Sequence, residues 1–213
     1  MGRQDQKTTN CESCGESFDA DENKRCGNFF IYIPIEQQIK EMLSDKKLFQ
    51  LLTNRDMNAL VNADCVTDVT TSQLYKELIT LHSFSGNDLS LTWNSDGIPV
   101  FRSSKYSVWP LQASVNELPP HLRAKHILLI GLWFGDKPNM NTFLKPFVVE
   151  STKLQKQGFV FANELQPRKV VPLIFCGDAP ARAMVRYSKQ FNGEYGCDWC
   201  ESTPDTCNHA KWS

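Results

Sequence analysis

An α/β fold, a mixed β-sheet flanked by helices, is what this sequence predicts, on three observations. Two apolar runs bounded by glycine, HILLIGLWFG at residues 126–135 and VVPLIFCGD at 170–178, suit strands buried on both faces. A third run, LSLTWNS at 89–95, alternates, with Leu89, Leu91 and Trp93 on one face and Ser90, Thr92 and Asn94 on the other. Apolar residues at helical spacing follow each of the two buried runs.

Each element is then read in chain order. FFIYIP is an aromatic and β-branched run that Pro34 breaks, predicting a short strand. Ile35, Ile39, Met42 and Leu43 follow at helical spacing and predict an amphipathic helix. Residues 53–72 are polar without a pattern and read as a loop, and SQLYKELITLHS, 72–83, reads as a short helix. After the strand at Leu89, Ser95-Asp96-Gly97 supplies a turn or bulge, and Ile98-Pro99-Val100-Phe101 continues beyond it. VWPLQASVNELP, 108–119, is a second extended segment, which Pro110 is expected to confine to an edge or a strand start.

Following the strand at 126–135, Phe143, Phe147, Val148 and Leu154 predict a helix ending at Gly158, with Pro146 in its first turns or kinking it. APARAMVRYSKQF predicts a last helix. Strand, strand, strand, helix, strand, helix is the order from residue 89. A three-stranded meander feeding a right-handed crossover into a further strand is the opening of the RNase H-like fold. Three segments follow: a polar cysteine-containing, zinc-ribbon-like piece at 1–28, a helical linker region at 29–88, and a partial RNase H-like domain at 89–213, incomplete at its C-terminus.

Composition narrows the function classes. Apolar residues make up 41% and charged ones 22%, an ordinary globular balance that excludes a disordered chain. The N-terminus lacks the apolar core of a signal peptide and no run approaches the ~20 apolar residues of a membrane span, so an intracellular protein is expected. The net charge of −1 hides an asymmetry: nine basic against fourteen acidic side chains in 1–88, and thirteen against eight in 89–200. The mildly basic middle is compatible with a phosphate-backbone partner without demanding one, and a solvated mixed-charge surface is the readier explanation of the charge alone.

Eight cysteines in a chain without an export signal read better as metal ligands than as disulfides. Cys197 and Cys200 supply two thiolates, and tetrahedral Zn²⁺ needs two more ligands, from Cys207, His209 or elsewhere. Cys11 and Cys14 with Cys26 form a similar incomplete set, and reduced thiols without metal are the alternative for both. His82, His121 and His126 stand alone and read as structural.

Two acids carry the remaining chemistry. In the RNase H-like scheme, acidic residues on the first strand and on the strand after the first helix share one edge of the sheet, which here pairs Asp96 with Asp178. Two carboxylates together repel unless a cation lies between them, and Mg²⁺ or Mn²⁺ takes oxygen ligands while keeping waters that a phosphate can replace. A pair of such ions activates a water or hydroxyl and stabilises the leaving oxygen in phosphoryl transfer. The structural alternatives are a turn residue for Asp96 and a helix N-cap for Asp178. Arg182 and Arg186, one turn apart, suit either a phosphate backbone or a solvated helix face.

These motifs, in order, resemble the catalytic region of CACTA-type (En/Spm-like) DDE transposases. The resemblance rests on Asn94-Ser95-Asp96-Gly97, Trp109-Pro110, Leu118 to Pro120, Asp178 to Ala181 in a D-x-P-A context, and the Cys197/Cys200 knuckle. The entry CESCGESF and FFIYIPIEQQIKEML is similar to the region upstream of that catalytic domain, so the resemblance spans residues 11–200. It implies a metal-dependent enzyme that cleaves and transfers DNA strands at transposon ends, with DNA as partner, self-association alongside it and a nuclear location. It also implies a third carboxylate on a helix after the knuckle. Glu194, Glu201 and Asp205 are among the later acids here, none in a helical context, so a domesticated, non-catalytic DNA- or protein-binding module is the other expectation.

Overall fold

The computed structural model describes residues 27, 29–100, 106–162 and 164–189 of the 213. Within them lies a mixed sheet of six strands flanked by helices. In chain order the elements are β1 (Phe29–Tyr32), α1 (Ile35–Ser44), α2 (Lys46–Leu51), α3 (Met57–Val61), a 3₁₀ turn (Val69–Thr71) and α4 (Gln73–His82). They continue with β2 (Leu89–Ser95), β3 (Ile98–Pro99), β4 (Ser107–Val115), α5 (Pro120–Arg123), β5 (Leu128–Gly135), α6 (Met140–Lys156), β6 (Val170–Phe175) and α7 (Ala179–Arg186). The strand order is β1-β5-β4-β2-β6, with β3 beside β4. All neighbours are antiparallel except β2 and β6, which run parallel across the α6 crossover.

Alternation along the strands separates two faces. The front face carries Leu89 and Leu91 of β2, Leu111, Ala113 and Val115 of β4, and Ile130 of β5, all buried. It packs against Ile35, Ile39, Met42 and Leu43 of α1 and against Phe143, Phe147 and Leu154 of α6. The helical spacing read in α1 therefore corresponds to its buried stripe. In α6 the stripe differs from the expectation: Val148 is 55% exposed, and Leu144 and Ser151 are buried instead. From Phe147 the buried line steps by four to Ser151, which leaves Val148 on the solvent side. Pro146 lies within α6, beyond its first turn, and Asn139 caps the helix by accepting from the N–H groups of Asn141 and Thr142.

Within residues 29–88, the first strand belongs to the sheet and the helices pack against it. β1 is an edge strand paired with β5, and α1 lies in the same buried cluster as β2, β4 and β5. The stretch 53–72 holds α3 and the 3₁₀ turn, in place of the expected loop. Asp56 caps α3 and Asp68 caps the 3₁₀ turn, so residues that looked patternless supply caps. With α4, these elements cover part of the back face of the sheet, where Tyr75, Leu78 and Phe84 pack with Val171 and Leu173 of β6.

The position of Pro110 also departs from expectation. β4 is an interior strand, between β5 on one side and β2 and β3 on the other. Its register runs from Val115 opposite Leu91 to Leu111 opposite Ser95, and resumes at Val108 opposite Ile98. β2 and β3 are thus one line of chain interrupted at Asp96-Gly97, and Pro110 falls opposite that interruption. The missing N–H of proline meets the gap in the ladder. Gly97 belongs there because a Cβ would lie 2.5 Å from the indole of Trp109.

Buried charge fastens the helical layer to the strands. Arg168, fully buried, donates from Nη1 to the carbonyls of Leu52 (2.9 Å) and Asn87 (3.0 Å), from Nη2 to Thr53 Oγ1 (2.9 Å), and to both oxygens of Glu164. Breaking a buried, fully bonded ion pair leaves its partners desolvated and unpaired, which costs about 3–5 kcal/mol. Arg168→Ala is therefore expected to lower the unfolding free energy by about that amount in urea titrations; a loss below about 1 kcal/mol would contradict this placement.

Candidate functional site

β2 and β6 lie side by side, and the chain continues from each into an aspartate at the same end of the sheet. Trp93 is the parallel partner of Phe175, and Cys176 N–H donates to the Trp93 carbonyl at 2.8 Å. Asp96 is three residues beyond Trp93 and Asp178 three beyond Phe175. Adjacent strands stand ~4.8 Å apart, so the two acids leave the ladder as neighbours. Rings fix the geometry beneath them: Trp93 packs against Phe175 with centroids 4.4 Å apart and against Phe147 at 5.0 Å.

Both turns depend on glycine for close approach. At Gly97 the obstacle to a side chain is the Trp109 indole, and at Gly177 it is the Phe175 ring, 2.9 Å from an added Cβ. Each acid therefore sits beside a glycine that an aromatic ring approaches closely. Asp178 is the N-cap of α7, its Oδ1 accepting from Ala181 N–H at 2.7 Å, as the capping alternative required. Asp96 Oδ1 accepts from Gly97 N–H at 2.7 Å.

Both carboxylates are exposed. Neither forms an ion pair with a cation among the described residues. Each has one oxygen engaged by a backbone N–H, and oxygen donors of this kind suit a hard divalent cation retaining several waters. Among the described residues, no group of three or more His, Cys, Asp or Glu side chains is placed to hold a metal. Arg182 donates from Nη1 to the Gly177 carbonyl at 2.9 Å, which brings a guanidinium to the residue before Asp178; Arg186 is on the exposed side of α7. His82 and His121 are exposed and His126 half-buried. Cys11, Cys14, Cys26, Cys197, Cys200, Cys207 and His209, with Glu194, Glu201 and Asp205, lie outside the described residues.

At the opposite end of β2 stands a buried acid that sequence reasoning did not single out. Glu117 follows β4 and accepts from Ser90 Oγ (2.7 Å), Ser90 N–H (2.9 Å) and Tyr75 Oη (2.9 Å), with Arg55 Nη1 at 3.7 Å. Asn116 donates to Ser90 Oγ at 3.0 Å and accepts from Thr92 Oγ1 at 2.7 Å. Asp68 pairs with both Nη atoms of Arg123, which holds its carboxyl below the ordinary range. The polar face of β2 at Ser90 and Thr92 was visible in the alternation, whereas the carboxylate it serves was not.

Burial raises the Glu117 pKa above its ordinary 4.5, against the opposing pull of Arg55 and the Ser90 and Tyr75 donors. Burial likewise raises the Tyr75 phenol, with the adjacent Glu117 charge acting in the same direction. A carboxyl whose pKa is higher in the folded state contributes stability below its unfolded pKa and loses it as pH rises through the folded value.

Compared with models of known protein families, with curated proteins and with solved structures, the chain matches none. No helix among the described residues is long and apolar enough to cross a membrane.

The Glu117→Gln variant removes this titration. Its thermal midpoint, measured from about pH 4 to about pH 8, is expected to gain on the wild type as pH rises; parallel profiles would show that Glu117 does not carry the shift.

Proposed function

We propose that this is a transposase-derived protein whose Asp96 and Asp178 form the metal-binding part of a DDE-type site on an RNase H-like sheet. The observation that carries the reading is the parallel β2–β6 ladder, closed by the Cys176 to Trp93 hydrogen bond, which brings the two acids to one end of the sheet. The meander β2-β4-β5 followed by α6 and a parallel β6 is the order expected of that fold.

In this reading the carboxylates of Asp96 and Asp178 hold Mg²⁺ or Mn²⁺, which supplies charge stabilisation and an activated oxygen nucleophile for phosphodiester cleavage. Asp178 accepts the Ala181 N–H with one oxygen, so that the helix cap would orient the carboxylate that holds the ion. Arg182, fixed to the Gly177 carbonyl, places positive charge beside the DNA backbone. The DNA is a transposon end and the location the nucleus, both by the family resemblance. Cys197 and Cys200 would supply two thiolates to Zn²⁺, with two further ligands drawn from Cys207, His209 or elsewhere, and Cys11, Cys14 and Cys26 would form a similar incomplete set.

A second reading has its own support. Each acid already has a local structural task, Asp178 as an N-cap and Asp96 in its turn. A domesticated module that binds DNA or protein without cutting it would keep both.

The two are separated by conversion of supercoiled plasmid to the nicked form in Mn²⁺ or Mg²⁺. The catalytic reading expects nicking that falls by roughly a hundredfold or more in Asp96→Asn and in Asp178→Asn. Plasmid retention without nicking supports the binding module; nicking at equal rates in all three proteins overturns the assignment of both acids. For zinc, metal analysis of freshly purified protein is expected to find at least one equivalent, and less than about half an equivalent would count against the knuckle.

A further inference from the structure

Residues 56–83, which hold α3, the 3₁₀ turn and α4, leave the body of the fold and return to it through one narrow neck. Arg55 donates to the Gly86 carbonyl from its N–H at 3.3 Å and from Nε at 3.0 Å, and Asn54 N–H donates to Asn87 Oδ1 at 2.8 Å. Arg168 fastens both sides of this neck through the carbonyls of Leu52 and Asn87. At each passage one residue takes the left-handed backbone, Asn54 (φ 52°) and Ser83 (φ 51°). Outside glycine that conformation is uncommon, and here it marks the two bends of the chain.

Beyond the neck the segment holds itself together. Asp56, Asp68 and Ser72 cap its helical pieces, and Lys76 Nζ donates to the Ala63 carbonyl at 2.6 Å. Tyr75 and Leu78 are buried with Phe84 in a small cluster separate from the main core, and Val171 and Leu173 are what the sheet adds to it. Among the described residues, no backbone hydrogen bond joins 56–83 to a strand. Two side chains reach past the neck instead. Asp68 accepts from both Nη atoms of Arg123, and the Tyr75 hydroxyl donates to Glu117 Oε1 at 2.9 Å while accepting from Arg55 Nη1 at 2.7 Å. A segment with a closed base, its own apolar cluster and few ties elsewhere has the make-up of a unit that opens below the free energy of global unfolding.

We propose that residues 56–83 form a flap on the back of the sheet, hinged at Asn54 and Ser83 and latched by Asp68 to Arg123 and by Tyr75 to Glu117, that opens as one unit while the sheet stays folded. Opening turns Glu117 and the back of β6 at Val171 and Leu173 to water. The Arg168 neck and the α6 face keep their contacts. The latches lie away from the end of β2 that leads to Asp96, so the assignment does not depend on the metal-site reading.

Amide hydrogen exchange of the full chain, followed by mass spectrometry of its peptides, tests the flap. With intrinsic rates corrected for, the α4 amides are expected to exchange at least about a hundredfold faster than those of β4 and β5, at a rate that rises with sub-denaturing urea because a unit exposes buried surface when it opens. Tyr75→Phe and Asp68→Asn each weaken one latch. Each is expected to speed α4 exchange by about tenfold and to leave β4 and β5 unchanged. Circular dichroism verifies the fold of both variants, and Asp68→Asn, which touches no fully buried group, carries the test if the Tyr75 hydroxyl proves indispensable for folding. Equal protection of α4 and β4, α4 exchange indifferent to urea as simple fraying gives, or variants that speed every element alike or none at all, would overturn the proposal.

Discussion

The parallel pairing of β2 with β6 is the contact on which the rest of the structure depends. It is non-local, since β6 arrives only after the meander and the whole of α6, and non-local pairing is the costly kind to form. The pair is fastened at both ends. At its start, Asp88 accepts from Ser85 N–H and Lys169 N–H, each at 2.7 Å, and Leu89 N–H donates to the Lys169 carbonyl at 2.9 Å. At its finish, Cys176 N–H meets the Trp93 carbonyl and the Trp93 ring seals against Phe175. The first clamp ties the helical layer of residues 53–88 to the sheet through Arg168 and Arg55, and the second lies at the end of the sheet where the chain runs on to Asp96 and Asp178.

What the sequence made legible follows from what produces a periodic signal. The strands at 89–95, 128–135 and 170–175, the helices around Ile39, Phe143 and Met184, and the cap at Asp178 all leave apolar spacing or a capping residue in the chain. The placement of Pro110 was not legible, because proline is excluded from a ladder only where an N–H is needed, and the break at Asp96-Gly97 removes that need. Residues 53–72 read as a loop because short helices with aspartate caps have too few apolar positions to show a period. The Glu117 network was invisible for a related reason: it joins Arg55, Tyr75, Ser90 and Glu117 across long stretches of chain, and burial of a carboxylate cannot be read from its neighbours in sequence.

For the candidate site, the residue types and their strands were legible, and the local use of their oxygens was not. Asp178 as an N-cap and Asp96 in its turn are compatible with a metal, since a carboxylate that accepts one backbone N–H retains lone pairs for a cation. The two glycines show a common logic. Each lets an aromatic ring approach the backbone beside an acid, which holds the turn without adding a side chain at the sheet edge. Rigid support of this kind is what a ligand pair requires when the ligands themselves are exposed.

The central claim is that Asp96 and Asp178 act as one ligand pair. The most direct measurement is titration of the chain with Mn²⁺, following the free ion by its electron paramagnetic resonance signal. The account predicts one class of site that Asp96→Asn and Asp178→Asn each weaken by about tenfold or more, while Asp136→Asn, at the end of β5, leaves it intact. Binding that is the same in all four proteins, or that is lost on changing only one of the two acids, would contradict it.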